Sequence, residues 1–134
     1  MTLPSQERKE LIKLRLENAH TAIEDAVLLL NNNSLRSSMS RIFYSMFYAV
    51  SALAIADGKS FNKHRALLAY FHKKYASTRI LDRKHGRALQ KAFEDRSEAD
   101  YQDYLHITRE QIQERIAEAR EFIQAIQEHL SNQT

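Results

Sequence analysis

Three groups of residues in this chain are of types that can hold a phosphate or move a proton. Arg41, Tyr44 and Tyr48 stand at i, i+3 and i+7, which puts them on one side of a helix as a polar-tipped line inside an apolar segment. Arg96, Asp100 and Tyr101 form a second group, and His64 with Arg65 a third, at a point where a helix should start. A helix N-terminus is itself a site for anions, although a capping or surface role would also suit His64. Burying an arginine is costly unless a carboxylate and hydrogen bonds satisfy it, so Arg41 is expected to meet Asp100 or Asp95. Two readings stay open for these residues. They can form a polar network within the core, or Arg41, Arg96 and Asp100 can line a cleft for a phosphate or a nucleotide base, with Tyr44, Tyr48 and Tyr101 stacking against it.

Other chemistry finds less support. The chain has no cysteine, which removes thiolate ligands, disulfides and cysteine nucleophiles and fits a reducing cytoplasm. No closely spaced histidine pair and no His-Glu-x-x-His occurs, so no metal is expected, and no other cofactor is implied. The only glycines are Gly58 and Gly86, too few for a phosphate-cradling loop, and the serines lack a recognisable nucleophile setting. The N-terminus, MTLPSQERKELIKL, lacks a signal-peptide core, and no run of about 18 apolar residues is present, so no membrane partner is expected. Net charge is +3 over 134 residues, but it is segregated. From Lys59 to Lys91 ten Lys/Arg face the single acid Asp82, a net of +9, which leaves −6 elsewhere. Such a block predicts a positive surface that can attract phosphates.

The elements that must position these groups are helices. The apolar fraction is 43% with 28% charged residues, ordinary for one globular domain covering 1–134, and the scarcity of glycine and proline favours long helices. Ile12, Leu16, Ala19, Ile23, Ala26 and Leu30 repeat at 4-3-4-3-4 and predict a first helix from Ser5 to Leu30, broken by Asn31 to Asn33. A second helix follows a Ser34 cap and runs to Asp57-Gly58; its middle, IFYSMFYAVSALAIA, is apolar on nearly every face and belongs at the centre of a bundle or against a partner. Asn62 can cap a third helix over 63–75, and a fourth runs from about Leu81 to Ala99 with Gly86 as a weak point. Thr108-Arg-Glu-Gln111 is a capping box opening a fifth helix striped by Ile112, Ile116, Ala119, Ile123, Ile126 and Leu130. Matching seams on the first and last helices predict an all-α, antiparallel, up-and-down bundle of four to five helices.

Ser40-Arg-Ile-Phe-Tyr-Ser-Met-Phe-Tyr48, then Lys63-His64, then Phe93-Glu-Asp-Arg-Ser-Glu-Ala-Asp-Tyr101 resemble, in this order, the signature of a small stand-alone HEPN domain (higher eukaryote and prokaryote nucleotide-binding). The resemblance spans about residues 5 to 130. It implies a cytoplasmic prokaryotic protein of toxin-antitoxin type, a homodimer, encoded beside a minimal nucleotidyltransferase that would be its protein partner. Many members of the family are metal-independent ribonucleases using an Arg-x4–6-His motif, with two copies meeting across the dimer. Histidine can move the proton of an RNA 2′-hydroxyl near neutral pH, and arginine can stabilise the charge that develops on the phosphate.

Arg96 matches the arginine of that motif, but the histidine position holds Tyr101, a poor base with an ordinary pKa of about 10. His106 lies ten residues beyond Arg96, outside the family spacing, unless an irregular segment brings it back. The catalytic candidates implied are therefore Arg96, Tyr101 and His106, with Arg41, Tyr44, Tyr48, His64, Arg65 and Asp100 as nucleotide or RNA contacts. Arg15 with His20, Arg65 with His72 and Arg79 with His85 also satisfy the spacing, as chance pairs will in so basic a chain. In some HEPN toxins the partner transferase attaches AMP to a tyrosine just after the motif. Tyr104 is that candidate here, and Tyr101 the second. A non-catalytic adaptor that dimerises through the aromatic second helix, or a nucleotide-binding domain docked to the transferase, would use the same surface.

Overall fold

The computed structural model of the chain describes residues 5–101 and 107–133, with the backbone alone for 98–101. Five α-helices lie among the described residues: α1 (Ser5–Asn31), α2 (Leu35–Ala56), α3 (His64–Phe71), α4 (Arg83–Tyr101) and α5 (Arg109–Asn132). A π-helical turn, His72–Ala76, extends α3. The all-α bundle expected from the repeats is what forms.

The centre is α2, which packs against each of the other four helices. Met39, Ile42, Phe43, Met46, Val50 and Leu53 are fully enclosed, which is where a segment apolar on all sides must go. By length and composition α2 is the one described helix that could cross a bilayer, yet more than half of that stretch is buried inside this chain. The seams of α1 and α5 meet it as Ala19, Ile23, Ala26 and Leu30 from one side and Ile112, Ile116, Ala119, Ile123 and Ile126 from the other.

The breaks between α1, α2 and α3 have local causes. Asn33 sits in the left-handed region (φ 60°), and the N–H groups of Ser34 and Asn33 return to the carbonyls of Leu29 and Leu30, a Schellman end for α1. The Arg109 guanidinium adds a bond to the Leu30 carbonyl (2.8 Å), placing a cation on the negative end of the helix. The second helix ends the same way, with Gly58 at φ 72° and bonds from Lys59 and Gly58 to Ala54 and Ile55. At the start of α5 the Thr108 hydroxyl accepts from the Gln111 N–H, as the capping signal predicts.

Three local expectations need correction. Lys63, not Asn62, occupies the N-cap of α3, in extended backbone and without a side-chain cap. Asp82 is the residue that starts α4: its carboxylate accepts from the Lys84 N–H (2.9 Å) and its carbonyl from His85. Gly86 is a point of close approach. A Cβ there would lie 2.9 Å from the Ala76 Cβ and 3.2 Å from His72 Nδ1, so α4 can lie against the π turn only because residue 86 has no side chain.

Polar anchors fix the remaining geometry. Arg115 of α5 is only 4% exposed and is held by Asp95 of α4 and by Glu118, at 2.8 and 2.9 Å. Asp95, one of the two carboxylates expected beside Arg41, is thereby committed to α5. Asp57, at the end of α2, accepts from the hydroxyls of Tyr70 and Tyr75 and pairs with Lys74 at 2.9 Å. Burial pushes its carboxyl up, but those hydrogen bonds and the Lys74 charge outweigh burial and hold it below the usual carboxylate range.

Two stability predictions follow from these contacts. Alanine at 86 would gain about 1 kcal/mol of helix propensity, whereas forcing a methyl into such a contact costs roughly 1–3 kcal/mol. Gly86→Ala should therefore lower the melting temperature, by roughly 4 °C per kcal/mol for a domain of this size, and a higher melting point would show that the π turn gives way. Burial also lowers the pKa of His64, His72 and His85 below the ordinary value, so the unfolded chain takes up protons at higher pH than the folded one. Their contribution is whole above about pH 6.5 and is lost as pH falls through the lower folded values. Thermal melts should show stability declining from pH 7 to pH 5, with a shallower decline in His85→Gln.

Candidate functional site

The line predicted on α2 is real and half-exposed, and it is where three helices converge. Tyr44 has two guanidinium groups near its ring: the Cζ of Arg41 is 5.3 Å from its centroid and that of Arg96, from α4, is 5.4 Å away. Arg96 also donates from Nη2 to the Tyr44 hydroxyl (3.3 Å) and lies 5.6 Å from the Phe43 ring. Rings attract cations through their negative faces, so one tyrosine partly offsets the repulsion between two arginines. Tyr48 continues the line, 6.3 Å from Tyr44.

His64 enters from α3, where it is the first helical residue. Its ring meets Phe47 edge-on at 4.5 Å and lies 5.7 Å from Tyr44 and 5.8 Å from Phe43. His64 and Arg96, 32 positions apart in sequence, therefore touch the same two rings. Burial, and after it the positive charge of Arg96, lowers the His64 pKa, which favours the neutral imidazole.

Sequence reasoning named Arg41, Tyr44, Tyr48, His64 and Arg96, and the structure brings all five to one place. Arg65 is exposed and outside the ring contacts that join them. The side chains of Asp100 and Tyr101, and the whole of Tyr104 and His106, lie outside the described residues. Arg41 keeps a buried Nε with no hydrogen-bond acceptor among the described residues, since Asp95 turns to Arg115. Phe43 and Phe47 were missed as walls of the site; their signal was the same apolar segment, read as core alone. Arg115 was missed too, although it stands beside Ile112, Ile116 and Ala119 on the striped face of α5.

Each chance Arg-His pair has its histidine engaged elsewhere. His20 bonds Gln127 across α1 and α5 (2.8 Å), His72 sits on Phe71 beneath Gly86, and His85 is buried against Phe122. The ten cations from Lys59 to Lys91 are all exposed, along α3, the π turn, its connector and the first half of α4. Lys74 is paired with Asp57, and Lys84 lies 3.7 Å from Glu121. Among the described residues no cluster of three or more His, Asp or Glu is placed to hold a metal ion.

Comparison with known proteins agrees with this arrangement. The profile of the HEPN domain matches residues 12–130. A UPF0332 protein of Thermotoga maritima is 35% identical, covering 90% of this chain and 92% of its own length. Two proteins of Methanocaldococcus jannaschii, both named "putative toxin", are 30% and 25% identical, over 92% and 96% of this chain and 83% and 95% of theirs. A profile that covers nearly the whole bundle, with full-length relatives and the motif residues gathered on α2, α3 and α4, means that this chain belongs to the HEPN domain family.

Proposed function

We propose that this protein is the HEPN component of a prokaryotic toxin-antitoxin or defence module, acting in the cytoplasm, and that it binds RNA at the Arg41–Tyr44–Arg96–His64 cluster and cleaves it without a metal. The observation that carries this reading is the convergence of Arg96 and His64 on Tyr44 and Phe43. The family motif places its histidine a few residues after the arginine, where this chain has Tyr101. His64 supplies an imidazole from another helix. The toxin names of the two archaeal relatives point the same way.

In this mechanism His64 takes the proton of a 2′-hydroxyl. The 2′-oxygen forms a bond to the adjacent phosphorus, and Arg96, with Arg41 beside it, stabilises the charge on the phosphoryl oxygens. The bond to the 5′-oxygen breaks, that oxygen takes a proton from solvent, and a 2′,3′-cyclic phosphate remains. Tyr44, Tyr48 and Phe47 offer faces on which flanking bases can stack. A homodimer that sets two clusters beside one another would complete the site. The wide apolar face of α2, expected to drive dimerisation, is taken up inside the chain, so pairing would rely on the polar rim around Arg96 instead.

The half-buried seat of Arg96 among aromatic rings favours a second reading, a non-catalytic domain that docks a nucleotidyltransferase. Purified protein should cleave single-stranded RNA in EDTA, and Arg96→Ala and His64→Ala should each reduce the rate by about 100-fold or more. Because neutral His64 is the active form, the rate should rise with pH through a pKa below 6.5 and be flat at pH 7. RNA left intact, together with a stable complex with the transferase, would replace the nuclease reading by the adaptor. Incubation with the neighbouring transferase and ATP should add the mass of AMP to Tyr104, or to Tyr101; no mass gain on either would remove that mode of regulation.

A further inference from the structure

A cavity of about 410 Å³ lies at the other end of the same α2 face. Arg8 and Arg15 of α1 and Lys59 of the α2–α3 loop bring three positive charges to it, and no carboxylate lines it among the described residues. Ser51 and Ser60 contribute hydroxyls, and Phe61 an exposed aromatic ring. The volume is within the range of small-ligand sites and is large enough for a mononucleotide.

The loop is built to hold this shape. The Schellman bonds of Gly58 and Lys59 engage the carbonyls of Ile55 and Ala54, two of the acceptors left at the C-terminus of α2. Phe61 rests on Tyr70 at 5.1 Å, and Tyr70 is fixed by its bond to Asp57. Phe61 and Lys59 are thus presented by a braced segment, and Arg8 and Arg15 by α1.

The cavity lies on the same face of α2 as the cluster around Arg96. Arg41, Tyr44, Tyr48, Ser51 and Ile55 follow one another at i, i+3, i+7, i+10 and i+14 along one half-exposed face of α2. From Tyr44, which touches Arg96, to Ser51 in the cavity wall is two turns, about 10 Å. We infer that this cavity is a nucleotide subsite, in which Arg15 and Lys59 hold a phosphate and Phe61 stacks a base of a single-stranded RNA that runs along α2 to the Arg96 cluster. The strand assignment rests on the RNA reading above; the cavity's affinity for a nucleoside monophosphate does not.

The test measures binding of a 2′-O-methyl oligoribonucleotide, which cannot be cleaved, and of AMP, to the full chain. Arg15→Glu with Lys59→Glu should weaken the oligonucleotide at least tenfold and reduce the salt dependence of its affinity by about two counterions. Phe61→Ala, which changes no charge, should weaken it about tenfold, with Phe61→Tyr restoring affinity. Circular dichroism melts show whether each variant is folded. Binding lost on these changes but kept in Arg96→Ala supports the subsite, and RNA left uncleaved by the unsubstituted chain removes the nuclease reading without touching it. Unchanged oligonucleotide and AMP binding in folded double and Phe61 variants overturns the subsite, even if Arg96→Ala abolishes cleavage. Loss of AMP binding with no change for the oligonucleotide overturns the strand assignment and identifies a free nucleotide as the occupant.

Discussion

The arrangement depends most on a single buried ion pair, Arg115 with Asp95. Burial alone would lower the arginine's pKa, but Asp95 and Glu118 outweigh it and the group stays charged. A guanidinium only 4% exposed cannot be left without its carboxylates, because an uncompensated buried charge costs several kcal/mol. Asp95 must therefore face α5, and this sets the rotation of α4 about its own axis. The next residue along a helix is turned by about 100°. Arg96 consequently faces α2 and reaches Tyr44 and Phe43. The structural arginine, invisible in any motif, is what aims the functional one.

Placing Arg96 there creates a second constraint. Arg41 and Arg96 both lie near one ring, and like charges this near each other repel through a medium less polar than water. Ring faces offset part of the repulsion, and the His64 pKa is lowered first by burial and then by the Arg96 charge. A phosphate would relieve the repulsion directly.

How far this was legible in the sequence follows from the range of each interaction. The long helices α1, α2 and α5 were legible because their apolar spacing and their stop signals, Asn33 and Gly58, are local. The start of α4 and the cap of α3 were misplaced by a residue or so, since Asn62, Lys63, Leu81 and Asp82 compete at short range and tertiary packing decides among them. Of the two carboxylates expected beside Arg41, Asp95 is taken by Arg115, and the side chain of Asp100 lies outside the described residues. Pattern alone cannot rank two arginines competing for Asp95, and the more deeply buried Arg115 holds it. His64 and Arg96 were each visible as candidates, but their convergence is a matter of how α3 and α4 cross α2. Only the order of motif pieces in the family hinted at it.

The π turn was not legible at all, and it links the two ends of the α2 face. Residues 70 and 75 of an uninterrupted α-helix point well apart, whereas a turn with i→i+5 bonding brings residues five apart toward one side. Here that geometry lets Tyr70 and Tyr75 share Asp57 while Tyr75 stays stacked on Phe71 in the core. The wider turn also swells the chain against α4, which is accommodated by the missing side chain of Gly86. One short irregular segment thus braces the α2–α3 loop through Asp57, seats Phe61 through Tyr70, and sets the height at which α4 passes on its way to Arg96. Irregular helical turns of this kind weaken the local hydrogen-bond ladder, so their presence implies compensation by tertiary contacts. In this chain the compensating contacts are the same ones that shape the loop beside the basic cavity.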